Sequence, residues 1–456
     1  MSRTFALARR AQATRPSTDE LAKVFLRYHD LVLARQSELL DAIQAETGKA
    51  RGHAFEEVLD VAITSRHYAH IAQKLLKSRR VKGALPLLTR TIVDREPVGV
   101  VGIISPWNYP LSLAISDAIP ALLAGNAVVL KPDSKTPNTA LLAAEILYEC
   151  GMPRELFQVV PGSGETVGQE IAHNCDYLMF TGSTATGRKL GAIAGERLIG
   201  YSAELGGKNP LLVDESADIE KAAEIAVNAC FANSGQLCIS IERIYAPRTI
   251  ATEFTERFVA KTRNLRVGIG GWDYDMGSLI SEDHARKVHE FVEDAVAHGA
   301  QILTGGNPPK GRLYQPTILA AVPEGARLKT EEVFGPVVYI EVVDSIDEAV
   351  ARANDTEYGL NASVVAKPRV GWRIARQLHA GTVNINEGYA AAWASVSAPM
   401  GGWKDSGLGR RHGVDGLLKF TETRTVAEQR VLPVSGHGEK FAQVMSTALK
   451  VGRRFL

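Results

Sequence analysis

The chain has 456 residues, 45% hydrophobic and 23% charged, which predicts two or three globular domains and excludes an intrinsically disordered protein. Its 52 lysines and arginines balance 51 acids, so no excess charge points to nucleic acid or to an anionic membrane. Four cysteines (Cys150, Cys175, Cys230, Cys238) without paired spacing fit a reducing compartment, the cytoplasm by default, and make neither a disulfide framework nor a metal site; no run of about 18 apolar residues is present to span a membrane.

In chain order, the Arg-rich opening, with no acid before Asp19, reads as an exposed amphipathic helix and not as a secretory signal. From Thr18 to about Leu76 apolar residues recur at helical spacing (Leu21, Val24, Phe25, Tyr28, then Val58, Val61), predicting a helical N-terminal layer. Leu88 to Glu96 alternates as an exposed strand does. An α/β rhythm follows: strand Val98 to Ser105, helix Leu111 to Leu123, strand Ala127 to Leu130, helix Thr139 to Glu149, strand Phe157 to Val160, helix Thr166 to His173, strand Tyr177 to Phe180 and helix Ala185 to Ala194. This alternation implies a parallel, doubly wound sheet, with Asn108, Lys131, Gly162 and Ser183 on its ligand-binding edge beyond the strands' carboxyl ends.

The stretch from Tyr201 to Ser240 carries the chemistry. Glu204 and Cys238 are each expected in a Gly-rich turn, and a helix through Ala222, Ile225, Ala226 and Ala229 would return the chain so that the two turns meet. A thiol beside a carboxylate suggests covalent catalysis with a general base. After Cys238 a second α/β domain is expected: strand Ile241 to Ala246, helices Ala251 to Leu265 and Asp283 to His298, strand Gln301 to Leu303, and helices Ile346 to Asn354 and Val370 to Leu378. The tail from Val431 reads as a basic amphipathic helix, packed on the protein or frayed in solvent in preference to a membrane.

Seven motifs in order, Ser-Pro-Trp-Asn108-Tyr-Pro, Leu-Lys131-Pro-Asp-Ser134, Phe-Thr-Gly182-Ser183-Thr-Ala-Thr-Gly187, Glu204-Leu-Gly-Gly-Lys, Gly-Gln-Leu-Cys238, Glu-Glu332-Val-Phe334-Gly-Pro and Met-Gly-Gly-Trp-Lys-Asp-Ser-Gly407, resemble those of the aldehyde dehydrogenase superfamily from about Leu21 to Val426. The resemblance implies that Cys238 is the nucleophile, forming a thiohemiacetal and then a thioester. Glu204 would direct water onto the thioester. Asn108, with the backbone N–H of Cys238, would hold the oxyanion, each such donor being worth about 3–4 kcal/mol. The chemistry also predicts an accessible thiol of lowered pKa.

No Gly-x-Gly-x-x-Gly fingerprint occurs. The resemblance implies instead a Rossmann variant in which Ser183 and its helix approach the pyrophosphate, with Pro106, Trp107, Lys131, Ser134, Gly162, Gly187 and Leu205 around the dinucleotide, Glu332 on the nicotinamide ribose and Phe334 near the ring. Ser134 stands where NAD-preferring relatives commonly carry a glutamate, so NADP is the expected cofactor, with NAD as the other candidate. The last motifs look most like a bacterial NADP-dependent succinate-semialdehyde dehydrogenase branch. The two arginines that established members of that activity use for the substrate carboxylate fall on Ser116 and Ala232 here. The expected pocket, Tyr109, Leu113, Leu237, Tyr389 and Trp393, is aromatic and aliphatic, which keeps apolar or aromatic aldehydes as an alternative; Ser395, Ser397 or an arginine from another loop stays open as the carboxylate's partner.

The expected architecture is thus α/β: a dinucleotide-binding domain (1–81 and 98–205), a catalytic domain (206–420), an oligomerisation β element (82–97 and 421–432) and a basic tail (433–456). By resemblance the β element pairs subunits into a homodimer or homotetramer. Two rivals remain, a cofactor-independent thiol esterase and a catalytically silent binding or structural protein on the same fold.

Overall fold

Short Val- and Ile-rich runs separated by helices become the strands of two sheets. The computed structural model describes residues 1–84, 89–430 and 434–453. The first sheet has six strands in the order Gly407–Leu408, Gly200–Glu204, Tyr177–Thr181, Val100–Ile104, Ala127–Lys131 and Phe157–Val159. All pair in parallel except the two-residue edge strand, which runs antiparallel to Gly200–Glu204. Helices Thr18–Ala34 and Arg51–Leu76 supply Leu21, Phe25, Tyr28, Val58, Val61 and Tyr68 to its core. The first of these helices starts at a capping box, in which Ser17 and Glu20 satisfy each other's backbone N–H.

The opening helix, Ser2–Ala13, differs from the exposed segment expected. Phe5 and Ala8 are buried in the first core, and Arg9 pairs with Asp176. The helix expected over Leu111 to Leu123 is divided into Ser112–Ile115 and Ala118–Leu123. Pro120 lacks the N–H that would bond the carbonyl of Ser116.

The second sheet has seven strands: Gln301–Thr304, Thr317–Ala320, Val337–Val343, Ile241–Pro247, Asn209–Val213, Asn361–Val365 and Thr382–Ile385, parallel throughout except for the first pair. Helices Ile219–Phe231 and Arg248–Arg263 cover one face, helices Ile346–Asn354 and Pro368–Ala375 the other. Residues from 407 to 420, placed by sequence with the catalytic unit, run back to the first sheet: Gly407–Leu408 pairs there, and Leu417 and Phe420 are buried in its core.

A third sheet is antiparallel, with Thr89–Pro97 between Arg79–Lys82 and Thr421–Gln429. Leu88 and Val431, named in the sequence reading, lie outside the described residues, as do positions 432, 433 and 454–456 of the expected β element and tail. The tail forms the helix Glu439–Gly452, none of whose residues is buried. No described helix is long and apolar enough to cross a membrane.

Candidate active site

Cys238 sits on a turn between the helix Ile219–Phe231 and the strand Ile241–Pro247. The approach to it is unusual backbone: Asn233, Ser234 and Gly235 all have left-handed φ, at 49°, 57° and 68°. A side chain on Gly235 would lie 2.1 Å from the carbonyl oxygen of Gly335, so this position requires glycine. Side-chain amides hold the turn. Asn233 donates to the carbonyls of Gln236 (2.9 Å) and Asn108 (3.1 Å), and Asn108 donates Nδ2 to the carbonyl of Gln236 (3.0 Å). Asn209 donates to the carbonyls of Cys238 (2.8 Å) and Ser240 (2.7 Å). Asn108 is therefore tied to the Cys238 turn through its own side chain, and it is buried.

The Asn108 loop has a second anchor. The Lys49 ammonium is fully buried, 2.6 Å from Glu57, and donates to the carbonyl of Asn108 at 2.7 Å. Glu57 in turn accepts the backbone N–H groups of Leu111 (2.8 Å) and Ser112 (3.1 Å). Removing one partner of such a pair leaves an uncompensated charge, so Lys49→Met is expected to cost about 3–5 kcal/mol. A thermal scan checks this, and an unchanged unfolding midpoint would refute the anchoring role.

One cavity, of about 250 Å³, brings together Pro106, Trp107, Asn108, Ser183, Glu204, Leu205, Cys238, Glu332 and Phe334. Phe334 has a left-handed φ of 55° and meets Trp107 edge to face, with ring centroids 5.5 Å apart. The loop carrying it is pinned from below: Glu242 accepts the N–H groups of Val333 and Phe334, and pairs with the buried Lys208 at 2.6 Å. Glu332 accepts the N–H of Gly207 at 2.9 Å, and burial pushes its carboxyl up to about 8.

The residues present fit a dinucleotide. Ser183 caps the helix Thr184–Glu196, whose first turn carries no acid, leaving N–H groups suited to a phosphate. Gly187 lets that helix close on Leu205, because a side chain there would lie 2.5 Å from the Leu205 methyl. Lys131 is buried and, among the described residues, its ammonium donates only to the carbonyl of Pro132 (2.8 Å), while Ser134 donates to the carbonyl of Gly162 (3.0 Å). Lys131, Ser134 and Gly162 thus lie on the same sheet edge, outside the lining of the cavity that holds Cys238.

Glu204 ends a strand and does not sit in a turn. Burial raises its carboxyl to about 7, against the pull of Arg411 and Lys419. The Cys238 thiol departs from the sequence expectation of a lowered pKa. It is pushed up to about 12 by burial and by the carboxylates of Glu204 and Glu332, which Arg411 only partly offsets.

On the other side of Cys238 a narrower cleft is lined by Tyr109, Leu113, Leu237, Tyr389 and Trp393, all five of the expected pocket residues, together with Met400 and Arg411. Glu56 joins them, accepting the hydroxyls of Tyr109 (3.1 Å) and Tyr389 (2.8 Å). Ser116 donates to the buried Asp60, and Ala232 lies in the apolar cluster beneath the cleft.

The aldehyde dehydrogenase family model matches residues 2–426. The chain belongs to the aldehyde dehydrogenase family. A Mycolicibacterium smegmatis relative, provisionally named succinate-semialdehyde dehydrogenase, NADP(+), is 56% identical over 437 residues, covering 94% of this chain and 84% of the relative. Among solved structures, an NADP-dependent enzyme of E. coli superposes with a TM-score of 0.89 at 34% identity, covering 93% of this chain and 89% of that one. The NAD+ complex of a Bacillus cereus aldehyde dehydrogenase gives 0.88 at 32% identity, covering 93% and 88%.

Several residues that shape the site in this aldehyde dehydrogenase escaped the sequence reading. Lys49, Glu57, Lys208 and Glu242 form two buried ion pairs that position the Asn108 and Phe334 loops. Lys208 was within sight, closing the Glu204-Leu-Gly-Gly-Lys motif. Its partner is distant in sequence, and no local signal joins them. Glu56 and Arg411 are the charged members of the cleft; on a helix and in a Gly-rich loop respectively, each looks like ordinary surface charge in the sequence.

Proposed function

We propose that this aldehyde dehydrogenase oxidises succinic semialdehyde to succinate, with NADP as cofactor and NAD accepted as the second choice. The observation that carries the reading is the place of Cys238, shared by the cavity fitted to a dinucleotide and by the cleft fitted to an aldehyde. The names of the mycobacterial relatives supply the substrate. In this reading Cys238 adds to the aldehyde carbon. The thiohemiacetal oxygen is stabilised by the Asn108 amide and the Cys238 N–H. Glu204 accepts the proton of the water that hydrolyses the thioester. Glu332, Trp107, Phe334, Ser183, Leu205, Pro106 and Gly187 hold the nicotinamide end and the pyrophosphate; Lys131, Ser134 and Gly162 hold the adenosine end. The bound cofactor supplies the hydride acceptor.

The lining of Tyr109, Leu113, Leu237, Tyr389 and Trp393 favours a second reading, an enzyme of apolar or aromatic aldehydes. Initial rates of NADPH and NADH formation with succinic semialdehyde, hexanal and benzaldehyde separate the two. Saturation by succinic semialdehyde at low concentration supports the first reading, and preference for hexanal or benzaldehyde supports the second. No reduction of either cofactor with any aldehyde would sink both.

A base with a pKa of about 7 works only when ionised. The hydrolytic step is therefore expected to slow as pH falls through 7, about tenfold per pH unit well below it. A kcat profile flat from pH 5 to 9 would remove Glu204 from that role.

Thr421–Gln429 is an outer strand of the third sheet among the described residues and is exposed along nearly its whole length, which supports assembly as a homodimer or homotetramer through residues 82–97 and 421–432. Residues 1–81 and 98–205 serve as the dinucleotide-binding unit and most of 206–420 as the catalytic unit. The four unpaired thiols support a cytoplasmic location.

A further inference from the structure

The sequence lacks both arginines expected to receive a substrate carboxylate, and the cleft nevertheless contains a guanidinium. Arg411 lines it together with Cys238, Asn108 and Leu113. It is 5% exposed, and its Nε is buried with no hydrogen-bond partner among the described residues. Such a donor costs about 1–3 kcal/mol if it stays unmade. Its Nη2 lies 3.2 Å from Asp117, the residue that follows Ser116. The guanidinium therefore enters, from the C-terminal segment, the corner in which the family arginine is missing.

We propose that Arg411 is the specificity-determining residue that receives the distal carboxylate of the aldehyde substrate. This rests on the carboxylate-bearing substrate proposed above.

Charge balance supports it. Asp117 is shared between Arg411 and Lys419, the latter at 3.5 Å. Burial works against its ionisation, yet the two cations outweigh burial and hold it below the usual carboxylate range. The other acids near Arg411, Asp60 and Glu204, are both pushed upward by burial. Asp117 is thus the acid that these groups hold below its usual range, burial lowers the Lys419 ammonium, and the unpartnered Nε of Arg411 is left to receive a further anion. Glu56 stands elsewhere in the same lining, held by the hydroxyls of Tyr109 and Tyr389. Burial raises the Glu56 carboxyl as it does those of Asp60 and Glu204, so Arg411 is the firmly charged group of the lining and fixes which way an anionic substrate lies.

The test compares kcat/KM for succinic semialdehyde and for butanal, which has the same chain length without the carboxylate, in wild type, Arg411→Met, Arg411→Lys and Glu56→Gln. The readout is the ratio of the two values, because the charge of Arg411 also favours ionisation of Glu204 and Cys238 and its loss lowers both activities alike. Arg411→Met is expected to cut the ratio about 100-fold, and Arg411→Lys about tenfold, since a point charge replaces a planar fork. Glu56→Gln is expected to leave it within about threefold of wild type, because burial already raises the Glu56 carboxyl and Arg411 carries the discrimination. A ratio within twofold of wild type in the Arg411 variants that fold would overturn the receptor role. If the wild type itself shows no preference for succinic semialdehyde over butanal, the substrate reading fails first, and the wild-type ratio alone reveals it.

Discussion

Replacing Cys238 by alanine is expected to lower aldehyde-dependent NADPH formation by roughly 10⁴–10⁶-fold, the scale seen when a covalent nucleophile is removed. No other thiol can substitute. Cys150 and Cys175 are buried in the first core and Cys230 in the second, whereas Cys238 is half-buried and meets both cavities. The turn should survive the change, because it is held by Asn233, Asn108 and Asn209 through backbone carbonyls and not through the sulfur. The variant is therefore expected to melt within a few degrees of wild type, and substantial residual turnover would refute the covalent mechanism. The raised thiol pKa of about 12 adds a second readout. Alkylation of Cys238 by iodoacetamide in the cofactor-free enzyme should accelerate about tenfold per unit between pH 7 and 10, as the thiolate fraction grows. A rate independent of pH over that range would mean that the thiol is already ionised.

Glu204→Gln carries the second large effect. The substitution keeps the shape of the side chain at the end of its strand and removes its basicity, so steady-state turnover should fall about 10²–10⁴-fold. The loss should fall on hydrolysis and not on the first half of the reaction. Rapid mixing is then expected to show one NADPH formed per active site in a burst, followed by near-arrest with the thioester on Cys238. The variant should also ease ionisation of the thiol, because the Glu204 carboxylate is one of the groups that push it upward. A variant with no burst and an equally slow first turnover would place Glu204 in the oxidative step instead.

The legibility of this protein in its sequence varies with the range over which its residues interact. The strands Val100–Ile104, Ala127–Lys131, Phe157–Val159 and Tyr177–Thr181 were readable because each is a short apolar run between helices. The strands Asn209–Val213, Val337–Val343 and Asn361–Val365 were not singled out, since Asn, Glu and Pro interrupt their apolar pattern. Two of those polar residues do structural service: Asn209 holds the Cys238 turn, and Asn361 donates its backbone N–H to the Asn209 side chain at 3.0 Å.

The motif residues Cys238, Glu204, Asn108, Glu332 and Phe334 were nameable from sequence because each lies in a short segment that resembles a motif of the family. The left-handed backbone at Asn233 to Gly235, the ion pairs Lys49–Glu57 and Lys208–Glu242, and the raised pKa of the thiol were not. A pKa depends on burial and on charges that arrive from other elements, and neither is written in the neighbouring residues.

By itself the sequence determined the α/β class, through periodicity, and, through the resemblance of its motifs, the proposed nucleophile, base and oxyanion donor and the residues that line the cleft. Only the tertiary structure decided which charges face the substrate. Ser116 and Ala232 left the carboxylate without a partner along the chain, and folding brought Arg411 to Asp117 and Glu56 to two tyrosines. Charges act through space, and the elements that carry them meet only when the sheets and helices pack.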